Sequence, residues 1–171
     1  MATPIDWMLP MPYTPILATL GYVYDRERDR VLMVHRTARP DDHQIGKYNG
    51  LGGKLEADED LATGMRREIR EEASIECLAM QLRGTISWPG FGKHGEDWFA
   101  AIFLIEAFSG QPPASNAEGR LEWVARTGLL DLPLWEGDRQ FLPLVFDDDP
   151  RPFHGVMPYR DGRMLDWRFS R

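Results

Sequence analysis

The chain has 171 residues, which suits one domain able to bury about 70% of its unfolded surface without staples. Its 43% hydrophobic and 27% charged residues exclude a disordered chain or a collagen-like fibre. With 27 acidic against 20 basic residues the net charge is −7, which argues against a basic nucleic-acid groove and leaves cations to mediate any contact with phosphates.

Residues 1–15 carry four prolines and neither a basic nor an apolar targeting segment, so an irregular arm is expected there, not a signal peptide. Residues 16–24 and 31–35 are rich in apolar, β-favouring types and flank a charged turn, which predicts a hairpin. Residues 37–47 read as a loop. Next comes Tyr48-Asn49-Gly50-Leu51-Gly52-Gly53-Lys54, whose glycines allow a backbone to approach a ligand closely. A helix follows, with Asp60 as N-cap, Asp58 and Glu59 beside it, and an apolar stripe of Leu61, Ala62, Met65, Ile69 and Ala73. Residues 75–88 and 98–108 read as strands, the second apolar almost throughout and therefore central. Pro89-Gly90-Phe91-Gly92 lies in the loop between them. Residues 120–124 suit a short strand. Residues 138–146 suit a helix despite Pro143, and Asp138 could be its N-cap. Arg160-Asp161-Gly162 marks a hairpin turn between residues 155–159 and 164–169. Strands and helices mix without regular βα alternation. The fold class expected is α/β or α+β, a mixed sheet sandwiched between helices, not a doubly wound parallel sheet.

No apolar run approaches the roughly 20 residues of a membrane helix. The single cysteine, Cys77, permits no intrachain disulfide, fits a reducing cytoplasmic compartment, and is expected to be buried and inert. His35, His43, His94 and His154 show no ligand spacing, so zinc is not expected.

The informative segment is the helix after the glycines. At 100° per residue, Glu68, Glu71 and Glu72 share about 100° of arc. Glu68 and Glu72, one turn apart, repel by a few tenths of a kcal/mol. A solvated charged face with an ordinary Arg67–Glu71 pair is the bland explanation. The glycine-rich loop just before it favours another, in which Mg²⁺ is shared between carboxylates and substrate phosphates.

The run from Gly53 through Glu59 to Arg67-Glu68-Ile69-Arg70-Glu71-Glu72 and Ala73-Ser74-Ile75 resembles the Nudix box, Gly-x5-Glu-x7-Arg-Glu-U-x-Glu-Glu-x-Gly-U, where U is a bulky aliphatic residue. Only Ser74 departs from it, standing where the pattern has glycine. The resemblance implies a hydrolase of nucleoside diphosphates linked to another moiety, within one domain over residues 16–171. It implies Mg²⁺, with Mn²⁺ as substitute, held by Glu68, Glu72 and the Gly52 carbonyl, with Glu71 often acting through water. Glu59 and Arg67 would brace the loop against the helix, and Lys54 would meet a phosphate.

Outside the box, residues 46–54, 118–124, 134–144 and 153–166 resemble the MutT-type members that clear oxidised purine nucleotides. That resemblance implies a base pocket. Asn49 would bond the purine edge, Trp135 would stack on the ring, and Asp138 would bond the base edge, protonated if the pocket is dry. Glu118 would sit near the metal; Glu118, Glu71 and Glu68 all stay open as the general base. Mammalian members carry two adjacent aspartates where this chain has Gly137-Asp138, and bacterial members share its Trp-Glu-Gly-Asp, which favours oxidised guanine. The substrate implied is 8-oxo-dGTP. The alternatives are an unoxidised nucleotide, ADP-ribose, a dinucleoside polyphosphate, or nucleotide sensing without hydrolysis. An isopentenyl diphosphate isomerase on the same fold would want an additional cysteine and histidine metal set. Nucleic-acid and membrane partners are not expected.

Overall fold

The computed structural model describes residues 12–38, 40 and 44–171. Most of the expected N-terminal arm and His43 lie outside the described residues, and residues 12–15 have no regular secondary structure. The elements are β1 (Ile16–Asp25), β2 (Arg30–Arg36), β3 (Tyr48–Asn49), α1 (Leu61–Ala73), β4 (Ile75–Trp88), β5 (Trp98–Gly110), β6 (Gly119–Ala125), a 3-10 helix (Arg126–Asp131), α2 (Asp138–Val145), β7 (Phe153–Val156), β8 (Tyr159–Arg160), β9 (Arg163–Met164) and β10 (Arg168–Ser170).

Among the described residues, eight strands form one mixed sheet in the order β10-β7-β4-β5-β1-β2-β3, with β6 also paired to β2. β5 runs parallel to β1 and antiparallel to β4, and so is central, as its apolar run requires. Its two faces feed two cores. Ala101, Phe103 and Ile105 pack with Met65, Ile69 and Ala73 of α1. Ala100, Ile102 and Leu104 pack with Phe141, Leu142 and Val145 of α2. The sheet is therefore covered by a helix on each face.

Two expectations need correction. The terminal hairpin turns at Asp161-Gly162 as expected and its arms pair antiparallel, but it is divided: β7 and β10 join the large sheet, while β8 and β9 form a separate ribbon. Pro158 has no N–H for a ladder, and beside it Met157 N–H donates to Ser87 O and Tyr159 N–H to Pro89 O, so the chain follows β4 instead. The stripe on α1 is also shorter at its start. Leu61 stays exposed, and Gly64 joins the buried face against Leu55.

The cap predicted for α1 is present, with the Asp60 side chain accepting from Thr63 N–H at 2.8 Å. At the other end Ser74 is left-handed, φ 55° and ψ 33°, and its N–H donates to Arg70 O. A side chain in that conformation costs about 1 kcal/mol. Ser74→Gly is therefore expected to raise Tm by roughly 2–3 °C, the gain trimmed by glycine's freedom in the unfolded chain. A lower Tm in a thermal melt would refute the strain.

Candidate active site

β1 pairs with β2 only near the turn, from Val23 opposite Leu32 to Asp25 opposite Arg30. Below that point the glycine-rich loop takes its place along β1: Gly21 bridges Leu51, Ala18 bridges Lys54, and Thr19 N–H donates to Gly53 O. The loop thereby lies as an added strand between β1 and α1. Gly52 makes this approach possible, since at φ 150° a Cβ would meet Thr19 O at 2.1 Å. Its N–H donates to Glu72 Oε2 at 3.0 Å, which joins the loop to the helix.

Arg67 is the second join. Its Nε donates to Glu59 Oε1 at 2.6 Å and its Nη2 to Glu59 Oε2 at 2.9 Å and Lys54 O at 3.1 Å. Its Nη1 donates to Glu68 Oε1 at 2.9 Å and Glu71 Oε2 at 3.3 Å. The expected Glu59–Arg67 pair and the bland Arg67–Glu71 pair are thus both present. Hydrogen bonding from Arg67 lowers the Glu59 pKa.

The third side is Glu118, just ahead of β6 and ion-paired to Arg36. Asn116 shapes this turn. Its Oδ1 accepts from Glu118 N–H at 2.9 Å, and its Nδ2 donates to Glu72 O at 3.2 Å. One side chain thus ties the turn carrying Glu118 to the last turn of α1. The Asn-x-Glu spacing of an Asx turn was its only signal in the sequence.

These carboxylates crowd one another. Burial, then the charges of Glu118 and Glu68, push the Glu72 carboxyl up to about 8, although Gly52 N–H opposes the rise. Burial raises Glu68 too, with Arg67 opposing. Glu71 is largely exposed. Among the described residues no three acidic, histidine or cysteine side chains already converge as a cation cage. Glu68 is turned to Arg67, Glu72 to Gly52 N–H and Glu118 to Arg36.

Beside this cluster opens a cavity of about 450 Å³. Of the residues picked out in the sequence, Asn49, Gly52, Lys54, Glu118, Trp135 and Asp138 line it. Arg67, Glu68, Glu71 and Glu72 do not, and they connect to it through Gly52 and Lys54. Lys54 lies 5.6 Å from the Trp98 ring centroid and Lys47 5.4 Å from that of Trp135. Asn49 Nδ2 donates to Gln44. Asp138 is not the N-cap; Gly137 is, without a side-chain bond, and Asp138 is the first helical residue. Burial raises its carboxyl to about 7, against the pull of Lys47 and Arg139. Thr19 Oγ1 and Trp98 Nε1, both on the cavity wall, are buried without a hydrogen-bond partner. Phe91, Trp98, Arg36 and Tyr159 are cavity residues that the sequence did not single out. Cys77 is buried, as expected.

The NUDIX domain profile matches residues 14–145, most of the chain. The chain belongs to the Nudix family. It is 27% identical over 147 residues to the uncharacterized Nudix hydrolase YvcI of Bacillus subtilis, covering 83% of this chain and 87% of that protein. It is 28% identical over 116 residues to the oxidized purine nucleoside triphosphate hydrolase of Mus musculus, covering 68% and 72%. The MutT protein of Bacillus halodurans superposes with a TM-score of 0.78 at 27% identity, over 91% of this chain and 97% of that one. The protein is a MutT-type Nudix hydrolase. Nudix hydrolases act on small nucleotide substrates and generally use divalent metal ions. No helix among the described residues is long and apolar enough to cross a membrane.

Proposed function

We propose that this Nudix hydrolase cleaves a purine nucleoside triphosphate to the monophosphate and pyrophosphate, with 8-oxo-dGTP the preferred substrate. The observation that carries the reading is the aromatic cavity holding Asn49 and Asp138, joined to the glutamate helix through Gly52. The name of the mouse relative supports it.

Mg²⁺ or Mn²⁺ suits the donor set, because only oxygen ligands are on offer and a cation would relieve the crowding around Glu72. Glu68, Glu72 and the Gly52 carbonyl would hold it, with Glu71 and Glu118 at its margin. When bound, it neutralises charge on the diphosphate and acidifies water. The chain does the rest. Trp135 stacks on the base, Asn49 and Asp138 bond its edge, and Lys54 meets a phosphate oxygen as a point charge. Water attacks phosphorus, the bond to the pyrophosphate oxygen breaks, and a carboxylate takes the water's proton. Glu118 is our choice for that base, ahead of Glu71 and Glu68, because it lines the cavity itself.

The test is a panel with Mg²⁺ comparing 8-oxo-dGTP, dGTP, ADP-ribose and a dinucleoside tetraphosphate, with products identified. We expect 8-oxo-dGTP to give monophosphate and pyrophosphate with the highest kcat/KM. Losing one buried hydrogen bond of roughly 1–3 kcal/mol, Asn49→Ala and Asp138→Ala should each cost about 5- to 150-fold on 8-oxo-dGTP. Metal affinity should hold in both, since neither residue is among the proposed ligands. Faster cleavage of ADP-ribose or the dinucleoside, or wild-type rates in both variants, would overturn the assignment.

A further inference from the structure

The matched domain ends at residue 145, yet the cavity has a wall that comes from beyond it. Tyr159 reaches the cavity from β8 and is only 7% exposed. Its ring meets Phe91 edge-on at 5.0 Å, and Phe91 meets Trp135 edge-on at 5.8 Å. The hydroxyl is docked against the start of α2. A Cβ on Gly137 would meet Oη at 2.4 Å and Met157 Sδ at 2.2 Å. Gly137 is therefore the vacancy into which the C-terminal segment fits, and the residue after it is Asp138.

The hydroxyl's own proton is poorly spent. Its acceptor is the Met157 thioether at 3.6 Å, a weak partner for a buried O–H. Burial and the nearby negative charge of Asp138 hold the phenol well above its ordinary range, so it stays protonated. Tyr159 and Asp138 both line the cavity, so its lining includes an O–H donor and a carboxyl. A base edge that answers both must present an acceptor beside a donor. A 6-oxopurine does so, with a carbonyl oxygen at C6 next to the ring N–H. A 6-aminopurine has a donor at C6 beside an unprotonated ring nitrogen.

We propose that Tyr159 is a specificity-determining residue, its hydroxyl donating to the C6 oxygen of the base so that the site takes 6-oxopurine over 6-aminopurine nucleotides. This deepens the purine reading above and rests on it. Guanine and its 8-oxo form share this edge, so the selection acts separately from recognition of the oxidised carbon.

Binding tests this without the chemical step. Tryptophan fluorescence, with chelator present, would follow titration of the full chain with GMP, 8-oxo-dGMP and AMP. The wild type should bind both oxo bases more tightly than AMP. Tyr159→Phe keeps the ring against Phe91 and removes the donor, and should cut that preference about tenfold, the weight of one hydrogen bond. Gly137→Ala, which displaces the hydroxyl from the other side, should cut it too. A merely structural Tyr159 would weaken all three ligands alike and leave the ratio unchanged, which would overturn the proposal while purine binding stands. A wild type that binds none of the three would remove the base pocket, and the proposal with it.

Discussion

Glu72→Gln should lower kcat on the order of 10²–10³-fold and, with metal removed, make the protein more stable at high pH. The loss follows because a neutral amide is a poor partner for a divalent cation. The gain follows from proton linkage. In the folded state the Glu72 carboxyl titrates at about 8, raised by burial and by Glu118, and in the unfolded chain it titrates in the ordinary carboxylate range. Between those values the folded state binds the extra proton, so wild-type stability falls as pH rises through roughly 5 to 8. The amide carries no charge, and its oxygen can still accept from Gly52 N–H. After discounting for water in the neighbouring cavity, the variant should melt about 5 °C above the wild type at pH 9 in chelator, and level with it at pH 5. Asp138, raised to about 7, keeps part of the slope in both proteins. Mg²⁺ should raise the wild-type Tm at pH 8 more than that of the variant. A Glu72→Gln protein that is less stable at pH 9, or turns over at the wild-type rate, would remove Glu72 from the role proposed for it.

Arg67→Ala should be nearly as costly to activity, and unlike Glu72→Gln it should also destabilise. Arg67 joins Glu59, Glu68 and the Lys54 carbonyl, and removing it leaves two shielded carboxylates without their cation. Breaking such a pair from one side is expensive, and a Tm loss of roughly 5–10 °C is expected. Turnover should fall on the order of 10²-fold, because Glu68 and the loop lose their shared anchor. Preference among bases should not change, because Arg67 does not line the cavity. Arg67→Lys should restore little, since one ammonium cannot span the fork of contacts that the guanidinium makes. Measuring kcat for 8-oxo-dGTP and dGTP beside thermal melts separates the cases. An altered base ratio with intact turnover would contradict a bracing role.

The glutamate helix was legible because its chemistry is local: capping, stripe and carboxylate arc all follow from one stretch of chain. The strands were legible for the same reason, down to both ends of β4. Pairing was not. Nothing in residues 16–24 says that β1 lies parallel to β5, or that the glycine-rich loop completes its other edge. The cavity inherits that difficulty. Asn49, Trp135 and Asp138 were picked out by resemblance to family segments, whereas Tyr159, Trp98, Phe91 and Arg36 arrive from elements whose return path is a tertiary event. Ser74 shows the opposite case: it stands where the box has glycine, and the left-handed backbone that glycine favours was found there.

Parallel pairing of β1 with β5 sets Ile16 beside Trp98, with the loop, α1 and β4 all threaded between them. Closing so long a loop is entropically uphill until the sheet zips, and such contacts slow folding. The cavity draws on β1, the loop along its edge, the start of β5, the turn before β6, the start of α2 and the tail. No fragment of the chain can therefore hold a partial pocket. In a refolding experiment, recovery of hydrolysis should keep time with the slowest burial of tryptophan, with no earlier species that binds nucleotide.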